Sequence, residues 1–220
     1  MLYKVPAQHA WLATLPPDDL ALFVDGTDVV LGGGCRGDVL GELKRRLARI
    51  MRRANATVVM SAELGAFDAG ADELPAPPRW ARETCPAFFD DEFWRANSDC
   101  SSGFWLGECS DPPRLRYANT GVFGGRVSDL LRMTQTALTS PRTSGRTDQG
   151  KFTTYFTRGL AGDSRLTLDY CAELVTNAFR LTPSARRRDA PEDSLLAGGS
   201  TACLLHYNGP SKHFWRTRLT

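Results

Sequence analysis

The chain has 220 residues, 42% of them hydrophobic, which is enough for one sizeable core but short for two full domains. Its 27 basic and 25 acidic side chains leave a formal net charge of +2, so no strong overall field favours nucleic acid or a membrane surface. No apolar run approaches the roughly 20 residues that span a bilayer, and the first residues lack the pattern of a signal peptide. We therefore predict a single domain over residues 1–220, with no nucleic-acid partner, no membrane span and no signal peptide in this chain.

The first half of the chain carries the patterns of alternating strands and helices. Residues 20–24 form a short apolar run that ends at Asp25, which predicts a buried strand opening into a turn. From Asp38 onward, apolar residues recur at helical spacing among lysines and arginines, which predicts an amphipathic helix with a solvated basic face. Residues 57–61 predict a second buried strand. Strand, helix and strand in this order are typical of a parallel α/β sheet.

Between residues 65 and 116 the regular periodicity is lost in a segment rich in proline, glycine, aspartate and aromatic residues. A loop of this length within a compact domain is usually functional or disordered, and the aromatic residues argue against disorder. We predict a long irregular insertion that folds over the active face. The elements predicted after it are a strand near 119–123, a helix near 128–138, a helix after Asp148, and strands near 166–168 and 202–205.

The six cysteines are scattered, and none forms the C-x-x-C pair that is typical of structural zinc. They are Cys35, Cys85, Cys100, Cys109, Cys171 and Cys203. An even number fits disulfides in an oxidising compartment, while buried free thiols in a cytosolic domain explain it nearly as well. The sequence leaves both explanations open.

Asp25 and Asp28 lie where a buried strand opens into a turn, which is the usual location of ligand sites in α/β sheets. Two hard oxygen donors there suit Mg²⁺ or Mn²⁺, and such an ion would also bind a diphosphate. The alternative is that Asp25 simply caps the turn, as aspartate commonly does.

A second polar segment begins at His206, after the apolar run 202–205. A lone histidine after a strand is more often a packed or exposed side chain than a ligand. The residues that follow favour a ligand site, because Gly209 would let the backbone approach closely and Lys212 would supply a positive charge for a phosphate. Asn119 at a strand start and Asp148 at a helix start can face the same pocket, although each also fits an ordinary turn or cap.

The order of these motifs along the chain is more specific than any one of them. They are Asp25-x-x-Asp28, Ser61-Ala62-Glu63, Asn119-Thr-Gly-Val-Phe-Gly-Gly, Asp148-Gln149, Leu166-Thr-Leu-Asp169 and His206-x-Asn208-Gly209-Pro-Ser-Lys212. Together they resemble the glycosyltransferase domain of the procollagen lysyl hydroxylases, over nearly the whole chain except residues 65–116. The resemblance implies an α/β fold of the GT-A type. This is a nucleotide-sugar-binding sandwich with a mostly parallel central sheet, which uses a UDP-sugar with Mn²⁺ (or Mg²⁺).

The resemblance also implies a role for each matching residue. Asp25 and Asp28 match the acidic pair that ligates the metal, and His206 matches the histidine that completes the coordination. Asp148 matches an acidic residue close to the transferred sugar and the acceptor, which makes it the candidate catalytic residue. The donor-binding residues that the resemblance implies are Lys4, Asn119, Asn208, Gly209 and Lys212, of which the last three match the loop that wraps the diphosphate.

The sequence departs from the family pattern in three places. Residues 142–147 contain two arginines and no acid where the family has an acidic run. An aromatic-bearing segment expected soon after Glu63 is replaced by residues 64–70, which contain a single phenylalanine. The strand that carries the acidic pair starts barely 20 residues after Met1, so we expect the fold to be N-terminally incomplete, without the strand-helix unit that holds the uridine.

The predicted activity is transfer of galactose or glucose from UDP-galactose or UDP-glucose to a hydroxylysine-type or glycosylated hydroxylysine acceptor, with a collagen-like or other protein as partner. The family places it in the lumen of the endoplasmic reticulum. One alternative is a glycogenin-like GT-A transferase, which has similar motifs but places a tight Asp-x-Asp after its strand. Another is a truncated, catalytically inactive binding module, which the missing unit and the depleted acidic run favour.

Overall fold

The computed structural model describes residues 3–32, 34–35, 37–64, 77–90, 92, 115, 117–139, 147–177 and 202–208. In chain order the elements are α1 (Lys4–Leu12), β1 (Leu20–Val24), β2 (Val29–Leu31), α2 (Val39–Ala54), β3 (Val58–Glu63), α3 (Arg79–Thr84), a 3-10 helix (Pro86–Phe89), β4 (Tyr117–Arg126), α4 (Val127–Thr139), α5 (Asp148–Thr157), β5 (Leu166–Asp169), β6 (Val175–Asn177) and β7 (Leu204–His206). The predicted α/β class is confirmed.

The larger sheet has the strand order β1-β4-β3-β5. β4 is antiparallel to both of its neighbours, whereas β3 and β5 are parallel. β1, β3 and β5 therefore run in one direction and β4 runs against them. The prediction of a mostly parallel sheet is correct for the direction of those three strands and wrong for their pairing, because β4 lies between β1 and β3. A continuous apolar run looks the same whether its strand is parallel or antiparallel to its neighbours. The sequence pattern therefore does not reveal that β4 is antiparallel.

Side chains of this sheet alternate between two hydrophobic layers, as the period of two in a strand requires. Met60 and Phe123 face the layer that contains α1, α4 and α5, and Val59 and Val122 face α2. The largest fully buried side chains of the first layer include Leu12, Leu130, Met133, Phe152 and Tyr155. The sheet is thus covered by helices on both faces, and ligand access is left to its edges and strand ends.

A smaller sheet has the strand order β2-β7-β6, with β2 antiparallel and β6 parallel to β7. A disulfide between Cys35 and Cys203 joins the segment after β2 to the segment before β7. A second disulfide, Cys85–Cys171, joins the end of α3 to the turn after β5. The four described cysteines therefore form disulfides, and Cys100 and Cys109 lie outside the described residues.

Helix α2 is capped at both ends. The side chain of Asp38 accepts a hydrogen bond from the Gly41 amide at 2.9 Å, and Asn55 closes the helix in the left-handed conformation with φ 49°. The prediction that the basic face of this helix is solvated is wrong for Arg46, which is 7% exposed. Its guanidinium donates to the carbonyl oxygens of Gly34 and Glu173, both at 2.7 Å, and so pairs backbone groups that burial removes from water.

The predicted insertion at 65–116 contains two short helices where it is described, namely α3 and the 3-10 helix. The proposal that it folds over the active face concerns mainly residues outside the described part. No helix in the described ranges combines the length and the hydrophobicity that a membrane crossing requires.

Candidate metal centre

Three predicted metal ligands meet where the two sheets adjoin. Asp25 directly follows β1, Asp28 directly precedes β2, and His206 is the last residue of β7. Pairing of β2 with β7 places Val29 opposite His206, and the Tyr207 amide donates to the Asp28 carbonyl at 2.8 Å. One donor atom from each of the three side chains lies within 4.8 Å of the others. The fold therefore brings together residues that are up to 181 positions apart (206 − 25).

The donor set fits a divalent cation. Two metal–oxygen bonds of about 2.0–2.6 Å on opposite sides of one ion span about 4–5 Å, which matches the spacing of the three donors. Carboxylates suit Mg²⁺ and Mn²⁺, and the imidazole adds a nitrogen ligand. Asp28 and His206 are each 2% exposed, whereas the Asp25 side chain is 33% exposed. The cluster is therefore buried at its base and open to solvent on the side of Asp25.

The orientation of the His206 ring is fixed by Asn177 at the end of β6. The Asn177 amide nitrogen donates to the Ala62 carbonyl at 2.8 Å, so its oxygen faces His206 Nδ1 at 2.7 Å. Nδ1 must then carry a hydrogen, which directs Nε2 towards Asp28 Oδ2 at 3.5 Å. With its hydrogen on Nδ1, the ring presents Nε2 to the Asp28 carboxylate, an arrangement in which both side chains can contact one cation. Such an orienting hydrogen bond is usual for histidine ligands of metals.

Gly121 of β4 provides the space for this ring. A Cβ atom at Gly121 would lie 2.5 Å from Nε2 and 2.6 Å from Nδ1 of His206, well inside the closest contact that real Cβ atoms make. The Gly121 carbonyl also accepts a hydrogen bond from the Asp25 amide at 2.8 Å. The sequence predicts a polar ligand-facing segment at Asn119-Thr-Gly, but the contact with the metal cluster is made by the glycine.

Lys4 of α1 connects the cluster to Asp148. Its ammonium lies 2.8 Å from a carboxylate oxygen of Asp25 and 2.8 Å from one of Asp148, and it donates to the Thr120 carbonyl at 3.2 Å. Burial alone would lower the pKa of Lys4, but the charges and hydrogen bonds of Asp148 and Asp25 outweigh it and hold the pKa above its ordinary value. Lys4 is therefore a fixed positive charge between a predicted metal ligand and the predicted catalytic acid.

Asp148 is the first residue of α5, and Thr147 caps this helix by accepting a hydrogen bond from the Gly150 amide at 3.2 Å. A carboxylate in the first turn is stabilised by the helix dipole. The Asp148 side chain is 11% exposed and is joined through Lys4 to Asp25. The structure thus places the predicted catalytic residue beside the predicted metal ligands.

Glu63, at the end of β3, gathers three side-chain amides from separate segments. Its Oε1 accepts from Gln149 at 2.7 Å, and its Oε2 accepts from Asn208 at 2.7 Å and from Asn119 at 3.0 Å. Burial raises the pKa of Glu63 to about 8, although the hydrogen bonds from these amides lower it. Asn119 and Asn208, both predicted to bind the donor, therefore direct their amide nitrogens at Glu63. Gly209 and Lys212 lie outside the described residues.

The raised pKa of Glu63 predicts a pH-dependent stability. The folded chain holds this proton more tightly than the unfolded chain does. The stabilisation of the fold that comes from holding the Glu63 proton is therefore complete below about pH 4.5, and it is lost as the pH rises through about 8. Relative to a Glu63→Gln variant, the free energy of unfolding should fall by about 5 kcal/mol at most across this window. Denaturant unfolding of both proteins at pH 5 and pH 9 measures this difference, and parallel pH profiles would contradict the assignment.

Two of these site residues carry no signal in the sequence that reveals their role. Asn177 lies 29 positions before His206 and outside every motif, so only the pairing of β6 with β7 relates the two side chains. Glu63 belongs to a motif, but a glutamate at the end of a strand does not reveal which side chains will donate hydrogen bonds to it.

Asp169 holds β6 indirectly. Its carboxylate accepts from the amides of Glu173, Leu174 and Val175 at 2.7–3.0 Å, and burial raises its pKa to about 6.

Neither a scan against protein-family models nor a search of curated proteins finds a match to this chain.

Proposed function

We propose that this chain is a metal-dependent glycosyltransferase of the GT-A type that moves galactose or glucose from a UDP-sugar to a hydroxylysine-type or glycosylated hydroxylysine acceptor. The observation that carries the proposal is the convergence of Asp25, Asp28 and His206 with donor atoms within 4.8 Å. The motif order of the lysyl hydroxylase transferases implies these same three residues as ligands of one metal ion. If the motif matches had arisen by chance, the three residues would not be expected to lie close together in the fold.

The residues around the cluster suit the chemistry of a sugar diphosphate. When bound, Mn²⁺ or Mg²⁺ supplies positive charge that stabilises the departing diphosphate. Asp25, Asp28 and His206 would hold the ion. Lys4 would add a second positive charge next to Asp25, at 2.8 Å. Asp148 would orient the sugar or accept the proton of the acceptor hydroxyl.

The fold and the disulfides add support. β1, β3 and β5 run in one direction, and the cluster lies at the carboxyl end of β1, where α/β sheets usually bind their ligands. The two disulfides favour an oxidising compartment, in line with the proposed location in the lumen of the endoplasmic reticulum.

Turnover of UDP-sugars tests the proposal. The chain is incubated with UDP-galactose or UDP-glucose and Mn²⁺, with and without a collagen peptide that contains hydroxylysine, and released UDP is measured. We expect release that requires the metal, is stimulated by the peptide and stops when EDTA is added. Release that is indifferent to EDTA would contradict the proposal. A folded chain that binds UDP without any turnover would favour the inactive binding module instead.

A further inference from the structure

The carboxyl group of Glu63 is buried among neutral partners. Glu63 is 1% exposed, and the hydrogen bonds to its two oxygens come from side-chain amides, at distances from 2.7 to 3.0 Å. A buried acid is costly unless its hydrogen bonds compensate for the loss of water. Its carboxylate form, which predominates above about pH 8, is also best suited to accept three amide hydrogens at once, since both of its oxygens are then acceptors.

The three amides belong to three segments that border the proposed donor site. Asn119 starts the stretch that leads to Gly121, and its own oxygen accepts from the Gly121 amide at 2.7 Å. Gln149 directly follows Asp148 in the first turn of α5. Asn208 lies two residues after His206, at the start of the loop that is proposed to wrap the diphosphate. One carboxyl group therefore links the strand behind His206, the helix start that carries Asp148, and Asn208.

The metal ligands themselves are held by other contacts. Asp28 and His206 are fixed by the pairing of β2 with β7 and by Asn177, and Asp25 is fixed by its backbone bond to Gly121 and by Lys4. The hydrogen bonds of Glu63 given above reach none of the three metal ligands directly and are connected to them only through the bond between Asn119 and Gly121. This separation allows the contribution of Glu63 to nucleotide binding to be measured apart from metal binding.

We propose that Glu63 is a positioning residue of the donor site, which acts through the amides of Gln149, Asn119 and Asn208 to hold Asp148 and Asn208 in the geometry that binds a nucleoside diphosphate. This inference rests on the proposed function, because it assumes that a sugar nucleotide binds at the metal cluster. Glu63 itself is buried, so its proposed action on the donor is indirect. Its removal should weaken binding of the diphosphate while the metal still binds.

Calorimetric titrations of MnCl₂, and of UDP at saturating Mn²⁺, test this separation. Glu63→Met keeps an unbranched side chain of similar length and removes both acceptors. We expect its Mn²⁺ affinity to stay within about threefold of the wild type and its UDP affinity to fall about tenfold or more. The matched control is Glu83→Met, since Glu83 is exposed and forms an ion pair with Arg79 of the same helix. This control should bind both Mn²⁺ and UDP like the wild type.

A paired exchange tests the hydrogen bonds directly. In Glu63→Gln the new amide oxygen can still accept from Asn119 and Asn208, but the new amide nitrogen faces the nitrogen of Gln149. Adding Gln149→Glu supplies a carboxylate that accepts from this nitrogen, and above about pH 8, where wild-type Glu63 is ionised, it leaves the net charge as in the wild type. We expect the double variant to recover UDP affinity to within about threefold of the wild type, and Glu63→Gln alone to bind more weakly.

Two results would overturn the role of Glu63 while leaving the proposed function intact. In one, Glu63→Met binds UDP as tightly as a wild-type chain that itself shows Mn²⁺-dependent binding. In the other, Mn²⁺ and UDP affinities fall together, which would make Glu63 a structural residue only. Should Glu63→Met fail to fold, recovery of UDP binding in the double exchange supports the proposal and absence of recovery overturns it. A wild-type chain that binds Mn²⁺ but no UDP would overturn the proposed function first, and this inference with it.

Discussion

Replacing Asp28 by asparagine is expected to weaken Mn²⁺ binding about 100-fold or more. Asp28 is 2% exposed and lies 3.5 Å from His206 Nε2, so its carboxylate is at the base of the proposed site. Loss of a residue that hydrogen-bonds to a metal ligand typically lowers metal affinity about 10–100-fold, and loss of a ligand itself should lower it at least as much. Asparagine has nearly the same shape, so the fold should be retained. Isothermal titration of MnCl₂ into the two proteins measures the effect.

The matched control for this prediction is Asp163→Asn, which removes the same charge from an exposed turn. Its Mn²⁺ affinity should stay within about twofold of the wild type, because exposed charges at a distance are largely screened by salt. Equal Mn²⁺ affinities for Asp28→Asn and the wild type would show that the ion binds elsewhere, and the proposed metal centre would then be wrong.

Replacing Gly121 by alanine should displace the His206 ring. The added Cβ would lie 2.5 and 2.6 Å from the two ring nitrogens, so the ring must move away from β4 and break its hydrogen bond to Asn177. We expect Mn²⁺ affinity to fall about 10–100-fold, since the histidine leaves its ligand position. The overpacking should also destabilise the fold by about 1–3 kcal/mol. Metal titration and denaturant unfolding of the same preparation separate the two effects.

Gly26→Ala is the control for this substitution. Gly26 lies between Asp25 and Asp28, but an added Cβ there would meet nothing within 4 Å. Its metal affinity and stability should resemble those of the wild type. If Gly121→Ala binds Mn²⁺ as well as Gly26→Ala does, the imidazole of His206 does not take part in metal binding.

The elements with strong local patterns could be predicted from the sequence. The apolar run that ends at Asp25 predicts β1 at residues 20–24, and the structure gives the same bounds. The amphipathic pattern after Asp38 predicts α2, which begins directly after that residue. In both cases burial of one apolar run or stripe determines the element, and the neighbouring turn residue or cap ends it.

The elements that were not predicted lack such a pattern. β2 and β6 contain three residues each, too few to show a period of two. In α1 the buried residues Val5 and Leu12 are accompanied by the exposed Trp11, and the exposed Tyr3 directly precedes the helix, so no apolar stripe is visible. These elements form because tertiary partners complete them, as β7 does for β2 and β6 and as α4 does for α1.

For the site, the motifs indicated the ligands but not their supporting contacts. Asp25, Asp28 and His206 follow from motif order, and the structure brings them together. The bridge from Lys4 to both Asp25 and Asp148 depends on where α1 packs, and the contact of Asn177 with His206 depends on strand pairing. Contacts of this kind arise from the three-dimensional arrangement, so residue type and spacing do not show them.

Calorimetric titration of UDP into the chain, with and without Mn²⁺, tests the central claim most directly. The account predicts saturable binding in the presence of Mn²⁺ that is lost when EDTA removes the metal, because Asp25, Asp28 and His206 would hold an ion that supplies positive charge for the diphosphate. UDP binding of equal strength with and without the metal, or no UDP binding by a folded chain that binds Mn²⁺, would contradict it.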